Sequence, residues 1–540
     1  MNSDVDVVIF GGNVITVDPA YPRAQSIAVK FGRIVAVGLD YELSELIGAS
    51  TLVVNARGLT ITPGFIDAHC HPMDAGRRAL LRANCSPDKT PTIGDVKRAL
   101  VQQSRTAPAG QWVLGFGYDE AKLPEKRLLT RTELDEITRE HPMFVEHSSG
   151  HIGMLNSLGL GRANLTRNAP DPAGGKYGRD AAGELDGCVF ETGQDQFIGR
   201  GEHRGRALIP DPTPEQDSKA LELACTEAAG LGITGWHEML ADPTMLRAFQ
   251  TARTRGELKM RVNAFIHVDY LEEMIDAGMQ SGFGDARLRL GGIKLMGDGA
   301  LSGRTAYLWE PYAGTKDDYG VLGISPEVMD AQVLAAHRAG FQIGIHANGD
   351  RFVEMVLDSY EKAIMAFPRK DHRHRIEHCS VMNAELLTRI KRLGVVAVPF
   401  GEYIYYHGEK MHSYGAKRLE MMLPHRSFLD AGIPIAGSSD YPCGPWNPMV
   451  AIQSCVTRKS RAGEGIGLGQ RITPEEAIRV YTLGGAYASF EEKTKGSIEV
   501  GKLADFAFLS EDPTVVDPEH IGAISLKATM VGGEFVYRKE

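Results

Sequence analysis

The chain has 540 residues, 43% hydrophobic and 24% charged, with a formal net charge of −10. That balance fits a globular protein with a large core, excludes a disordered or fibrous chain, and leaves no whole-chain basic footprint for nucleic acid. The seven scattered cysteines include no Cys-x-x-Cys pair, the start carries no positive signal-type region, and no run of 18 apolar residues occurs; a cytoplasmic protein with reduced thiols and no membrane span is expected.

Residues 1–62 read as short strands (VDVVIFGG, VITVD, QSIAVKFGRIVAVG and TLVVNARG), rich in β-branched residues and broken by glycine turns. The stretch 488–540 looks alike, so the two ends are expected to meet in one composite β domain. Between them, 63–487 alternates strand-like and helix-like segments, the mark of a parallel sheet. Eight buried strand candidates precede polar clusters, at 63–69, 233–238, 260–267, 291–297, 342–347, 373–378, 394–400 and 433–440. Eight is the strand number of a (β/α)8 barrel. Two more candidates, WVLGFGYD and PMFVEH, fall in an insertion of roughly 78–220, in which 160–187 reads as a long Gly- and Pro-rich loop. Helices are predicted over SPEVMDAQVLAAHRAG, RFVEMVLDSYEKAIMAF and TPEEAIRVYTLGGAYASF. The last has Thr473 at its N-cap, Pro474 at its first position and Glu476 completing a capping box.

The strongest local signal for chemistry is ITPGFIDAHCHP. In a strand, positions i and i+2 share a face, so His69 and His71 can hold one metal ion side by side. Lys294, His346, His378 and Asp440 lie at or near the ends of four other strand candidates, where a barrel carries its active site. A lysine in the apolar run GGIKLMG is costly to bury as an ammonium. It is either ion-paired, with Asp298 as the nearby partner, or a neutral amine that takes up carbon dioxide to give a metal-bridging carbamate. Taken singly, His346 and His378 also fit as satisfied core histidines; six such residues in matching positions favour a metal centre.

These segments resemble the amidohydrolase superfamily, specifically amidohydrolase family 3, the YtcJ-like metal-dependent hydrolases. The resemblance rests on the N-terminal VIFGGNVITVD and AQSIAVKFGRIVAVG, on PGFIDAHCH, HSSGHIGMLNSLGL and GIKLMGDGALSGRTA, and on GSIEVGKLADFAFLSEDP near the C-terminus. It implies an α/β fold: a distorted (β/α)8 TIM-like barrel over 63–487, a β-sandwich from 1–62 plus 488–540, and the inserted α/β subdomain of 78–220 roofing the active site. It further implies that His69 and His71 bind the more buried metal. Lys294, carbamylated, would bridge two Zn2+ ions, and His346 and His378 would bind the second. Asp440 would bind metal and act as the catalytic acid/base. All six positions are filled.

The implied activity is zinc-assisted hydrolysis of a carbon–nitrogen bond other than a peptide bond, most simply an N-acyl or N-formyl amide. The alternatives are deamination of a cyclic amidine and a catalytically inactive assembly protein. Expected partners are a small amide with an aromatic or apolar group and a second copy in a homodimer, with no nucleic acid and no membrane. Substrate contacts are expected from His147, His237, Arg304 and Tyr405, the last in the aromatic run EYIYYH. HRHR (372–375) reads as a strand entrance with exposed charges.

Overall fold

The computed structural model describes residues 5–172 and 174–539. Residues 1–4 and Glu540, at the two ends of the composite domain, and Ala173, in the expected insertion loop, lie outside the described residues.

Seven strands form one parallel sheet in chain order: β1 (Phe65–Cys70), β2 (Ile233–Ala241), β3 (Arg261–His267), β4 (Leu288–Leu295), β5 (Gln342–Ala347), β6 (Arg375–His378) and β7 (Val396–Pro399). The eighth segment, 433–440, closes the ring without becoming a regular strand. It makes single parallel bridges to β7, Ala397 with Ile435 and Phe400 with Ser438. Toward β1, Ala68 N donates to Gly437 O at 2.9 Å and Asp440 N to His69 O at 2.8 Å. Pro434 has no N–H to offer, and Asp440 turns at φ 53°, so an even ladder cannot run its length.

Thr473 caps its helix as expected, accepting from Glu476 N while Glu476 accepts from Thr473 N. The predicted single helix is instead α over Pro474–Arg479, π over Val480–Gly484 and α over Gly485–Ala488. The widened turn presses on the eighth segment: Val480 O accepts from Gly437 N at 3.1 Å. A Cβ at Gly484 would lie 2.4 Å from Ile435 O, so only glycine fits this approach. The other two predicted helices run over Pro326–Arg338 and Asp350–Ala366.

The chain's two ends share a sheet. Thr60–Pro63 pairs antiparallel with Phe506–Leu509 in a six-stranded sheet, and Val7–Phe10, Ser26–Lys30, Arg33–Gly38 and Leu52–Asn55 form a four-stranded one. Ile9 and Ile27 from the second sheet pack with Ile61, Phe506 and Met530 from the first. At the start of β3, Arg261 donates to both carboxylate oxygens of Asp505, at 2.6 and 2.7 Å, with both residues buried.

Residues 73–220 form a compact unit of their own, separate from the unit of 1–72 and 221–540. Its six-stranded mixed sheet contains Val113–Tyr118 and Met143–His147, paired in parallel. The 160–187 stretch is less open than its composition suggests. Gly175–Arg179 pairs antiparallel with Leu185–Glu191, and Lys176 covers the Phe190 ring at 4.7 Å. HRHR also departs from expectation. His372, His374 and Arg375 are buried, because His374 bonds His337 at 2.8 Å and Arg375 points into the barrel. Among the described residues no helix is long and apolar enough to cross a membrane, and the seven cysteines are free.

Candidate active site

The six residues singled out in the sequence converge at the C-terminal ends of β1, β4, β5, β6 and the eighth segment. His69 and His71 stand edge to face, ring centroids 5.3 Å apart, as their i, i+2 spacing requires. His69 Nε2 lies 3.4 Å and His71 Nε2 3.2 Å from Asp440 Oδ1. Lys294 Nζ is 3.5 Å from His69 Nε2. The His378 ring sits 4.6 Å from that of His69 and 4.5 Å from that of His346. One ligand atom each from His69, His378 and Asp440 falls within 4.8 Å of the others. His346 joins through its ring; its Nε2 is engaged by the Asn348 amide at 3.1 Å and lies 3.2 Å from Gly299 O.

Backbone strain accompanies this convergence. His378 has φ 74°, Cys379 φ 45° and Asp440 φ 53°. Left-handed backbone at a non-glycine residue costs about 1–3 kcal/mol and persists only where the surroundings enforce it. In an alternating strand, His378 would face away from Arg375 and Glu377; the left-handed turn brings its ring into the mouth beside His69.

Electrostatics prepare these groups for a cation. Burial lowers the pKa of His69 and of His378, and brings that of His346 down to about 3. All three are thereby kept as neutral lone-pair donors. Burial likewise brings Lys294 down to about 8. For Asp440, burial pushes upward, but its close contacts with the His69 and His71 imidazoles outweigh it and hold the carboxyl well below its usual range. Lys294 is directed at His69 and not at Asp298, whose carboxylate accepts the backbone N–H groups of Tyr307, Asn348 and Gly349.

Behind the mouth lies a layer that sequence reading missed. Glu377, fully buried, accepts from His69 Nδ1 at 2.7 Å and from Arg375 Nε and Nη2, both at 2.8 Å. Burial pushes Glu377 up, yet the Arg375 charge and the hydrogen bond from His69 prevail and hold it at about 2. Asp67 ties the His-x-His strand to the Asp440 segment. It accepts from Ser439 Oγ at 2.5 Å, Trp446 Nε1 at 2.9 Å and the backbone N–H groups of His69 and Ser439.

The four expected substrate contacts are placed as follows. His237 is buried, accepts from Arg375 Nη1 at 2.8 Å through Nδ1, and stacks on Phe265. Arg304 lies over the Tyr312 ring at 5.2 Å and 3.7 Å from Asp318. Tyr405 N donates to Ser454 Oγ at 3.3 Å. Within the 73–220 unit, His147 bonds Glu120 at 2.8 Å and Ser149 at 2.7 Å.

A family model described as "Amidohydrolase family" matches residues 52–537. The chain belongs to the amidohydrolase family. It is a metal-dependent hydrolase acting on carbon–nitrogen bonds. YtcJ of Bacillus subtilis (strain 168) is 30% identical to it, covering 98% of this chain and 99% of the relative. The N-substituted formamide deformylase of Arthrobacter pascens is 28% identical over 99% of this chain and 98% of the relative. Among solved structures, an uncharacterized metal-dependent hydrolase from Pyrococcus horikoshii OT3 superposes with a TM-score of 0.79 at 24% identity, covering 95% of this chain and 99% of that one.

Proposed function

We propose that this enzyme hydrolyses a small N-acyl or N-formyl amide at a two-zinc centre held by His69, His71, Lys294, His346, His378 and Asp440. The observation that carries the reading is the trio of buried His69 and His378 with half-buried Asp440, whose ligand atoms lie within 4.8 Å of one another. The donor set fits a metal. His378 Nδ1 is buried with no hydrogen-bond partner among the described residues, and imidazole with carboxylate suits zinc. Lys294, brought down to about 8 by burial, has the accessible neutral amine that a carbamate requires. The formamide deformylase relative supports an amide substrate, and the free cysteines support a cytoplasmic setting.

When bound, zinc supplies a water acidified toward a pKa of about 7 and polarises the substrate carbonyl. The chain's own groups do the rest. Asp440, held as a carboxylate beside His69 and His71, takes the proton of the attacking water and returns it to the leaving nitrogen. Glu377 accepts His69 Nδ1–H, so that Nε2 presents its lone pair to the mouth. Asp67 holds Ser439 beside Asp440 and keeps the base on station.

The test is a panel of N-formyl, N-acetyl and cyclic amides with protein purified without chelator. Release of a carboxylic acid and an amine, together with about two zinc ions per chain, is the expected result. Less than half an equivalent of metal in folded protein, or release of ammonia only from ring amidines, would overturn the reading.

A further inference from the structure

At the opposite end of the barrel, where β3, β4 and β5 begin, lies a cleft of about 430 Å³ with Asn263, Ser281, Arg289, Gln342 and Arg369 in its wall. That face of a barrel ordinarily serves stability, and its polar groups should then be satisfied. Here they are not. Asn263 is 2% exposed and Gln342 1%. Neither side-chain atom of Asn263 has a partner among the described residues, and neither does Gln342 Oε1. A buried amide left unmet bears the whole cost of leaving water.

The charge around these amides is positive. Among the described residues Arg369 donates only to backbone carbonyls, of His337, Gly340 and Phe341. Arg289 stands in register beside Asn263 and makes no hydrogen bond or ion pair to a described residue. It does feel the charge of Glu491, which is paired with Lys495 at 2.7 Å. Asp371, also in the wall, is paired with Arg373 at 3.0 Å. The volume is in the range of small-ligand sites, about 300–1,000 Å³. Above the cleft, Phe265 and Arg375 stack at 4.7 Å and Arg375 bonds His237, so this floor is a separate chamber from the His69–Asp440 mouth.

We propose that this cleft binds a small organic anion carrying both a carboxylate and an amide. The carboxylate meets Arg289, for which guanidinium is the matched fork. The amide offers Asn263 the donor and the acceptor it lacks, and gives Gln342 Oε1 an N–H. The ligand touches β5 at Gln342, four residues before His346 on the same strand.

The probes are N-acetylglycine, succinate and inorganic phosphate, titrated calorimetrically into full-length metal-loaded protein. N-Acetylglycine is expected to saturate, and to bind at least tenfold more tightly than succinate or phosphate. Arg289→Gln and Asn263→Leu should each weaken it tenfold or more, whereas Asp440→Asn should leave it unchanged. Asn263→Leu should also raise the urea midpoint of the free protein, because it removes an unmet amide; a purely structural asparagine would lower it. No saturable binding of N-acetylglycine, or equal binding of all three anions, would overturn the proposal. So would binding lost in Asp440→Asn but kept in Arg289→Gln, which would place the probe at the catalytic mouth.

Discussion

Replacing Glu377 by Gln tests the layer beneath the proposed metal ligands. The carboxylate accepts three hydrogen bonds, one from His69 and two from Arg375. A glutamine has one acceptor oxygen and one NH2 group. Whichever way it turns, an N–H meets an N–H, either at His69 Nδ1 or on the guanidinium. Two separable losses follow. Arg375 is fully buried and loses its carboxylate, and breaking such a pair costs about 3–5 kcal/mol. His69 loses the group that fixes its tautomer, which lowers metal affinity by about 10–100-fold, or roughly 1.4–2.7 kcal/mol. Urea unfolding of the metal-free protein reads the first loss. Zinc retained per chain during dialysis against graded chelator reads the second. A variant that unfolds within about 1 kcal/mol of wild type and keeps zinc within twofold would refute the assignment of Glu377 as the support of His69.

Three further outcomes are expected. Asp440→Asn should lower turnover by about 10²–10⁴ while circular dichroism stays unchanged; wild-type turnover would move the acid/base role elsewhere. Arg261→Ala should cost about 3–5 kcal/mol in urea unfolding. Its partner carries a pH signature: burial pushes Asp505 up, but the Arg261 charge and hydrogen bonds win and lower its pKa. The unfolded chain therefore binds that proton first, so the contribution is whole above about pH 4 and fades as pH falls through the folded value; the acid-side loss of midpoint should shrink in Asp505→Asn. Gly349→Ala should destabilise by about 1–3 kcal/mol, since its Cβ would fall 1.9 Å from Tyr307 O; an unchanged melting curve would mean that the Tyr307 loop yields freely.

The residues that face the mouth were legible because their identity is unusual for where they sit. A lysine in GGIKLMG and a His-x-His at the end of an apolar strand become telling together with His346, His378 and Asp440 at matching strand ends. Their supports did not stand out. Arg375 and Glu377 look like ordinary surface charges in RHRIEH, and only the closed ring makes their shared face an interior one. Asp67 resembles a strand-end turn residue until Ser439 and Trp446, more than 370 positions away, are brought against it. The eighth segment was correctly located but not its irregularity, which depends on the π turn packed upon it. The strand at Gly175–Arg179 was hidden by its glycines, since pairing with Leu185–Glu191 is a tertiary matter that composition does not report.

The way the ring closes bears on how the molecule moves. The seven strands are joined by ladders several residues long, bulged in places, while 433–440 is tied by isolated bridges and single amide contacts on either side. Local opening concentrates where backbone hydrogen bonds are few, so this seam is where amide protons should exchange soonest within the barrel wall. Asp440 rides on that seam, and its neighbours His69 and His71 lie at the end of the strand across it and just past that end. A fluctuation that parts the seam would separate the base from both imidazoles together, whereas capture of a cation by all three would pin it. Slower deuterium uptake at 436–440 on metal addition, with β4 and β5 little altered, would show a catalytic ion serving also as the clasp of the barrel.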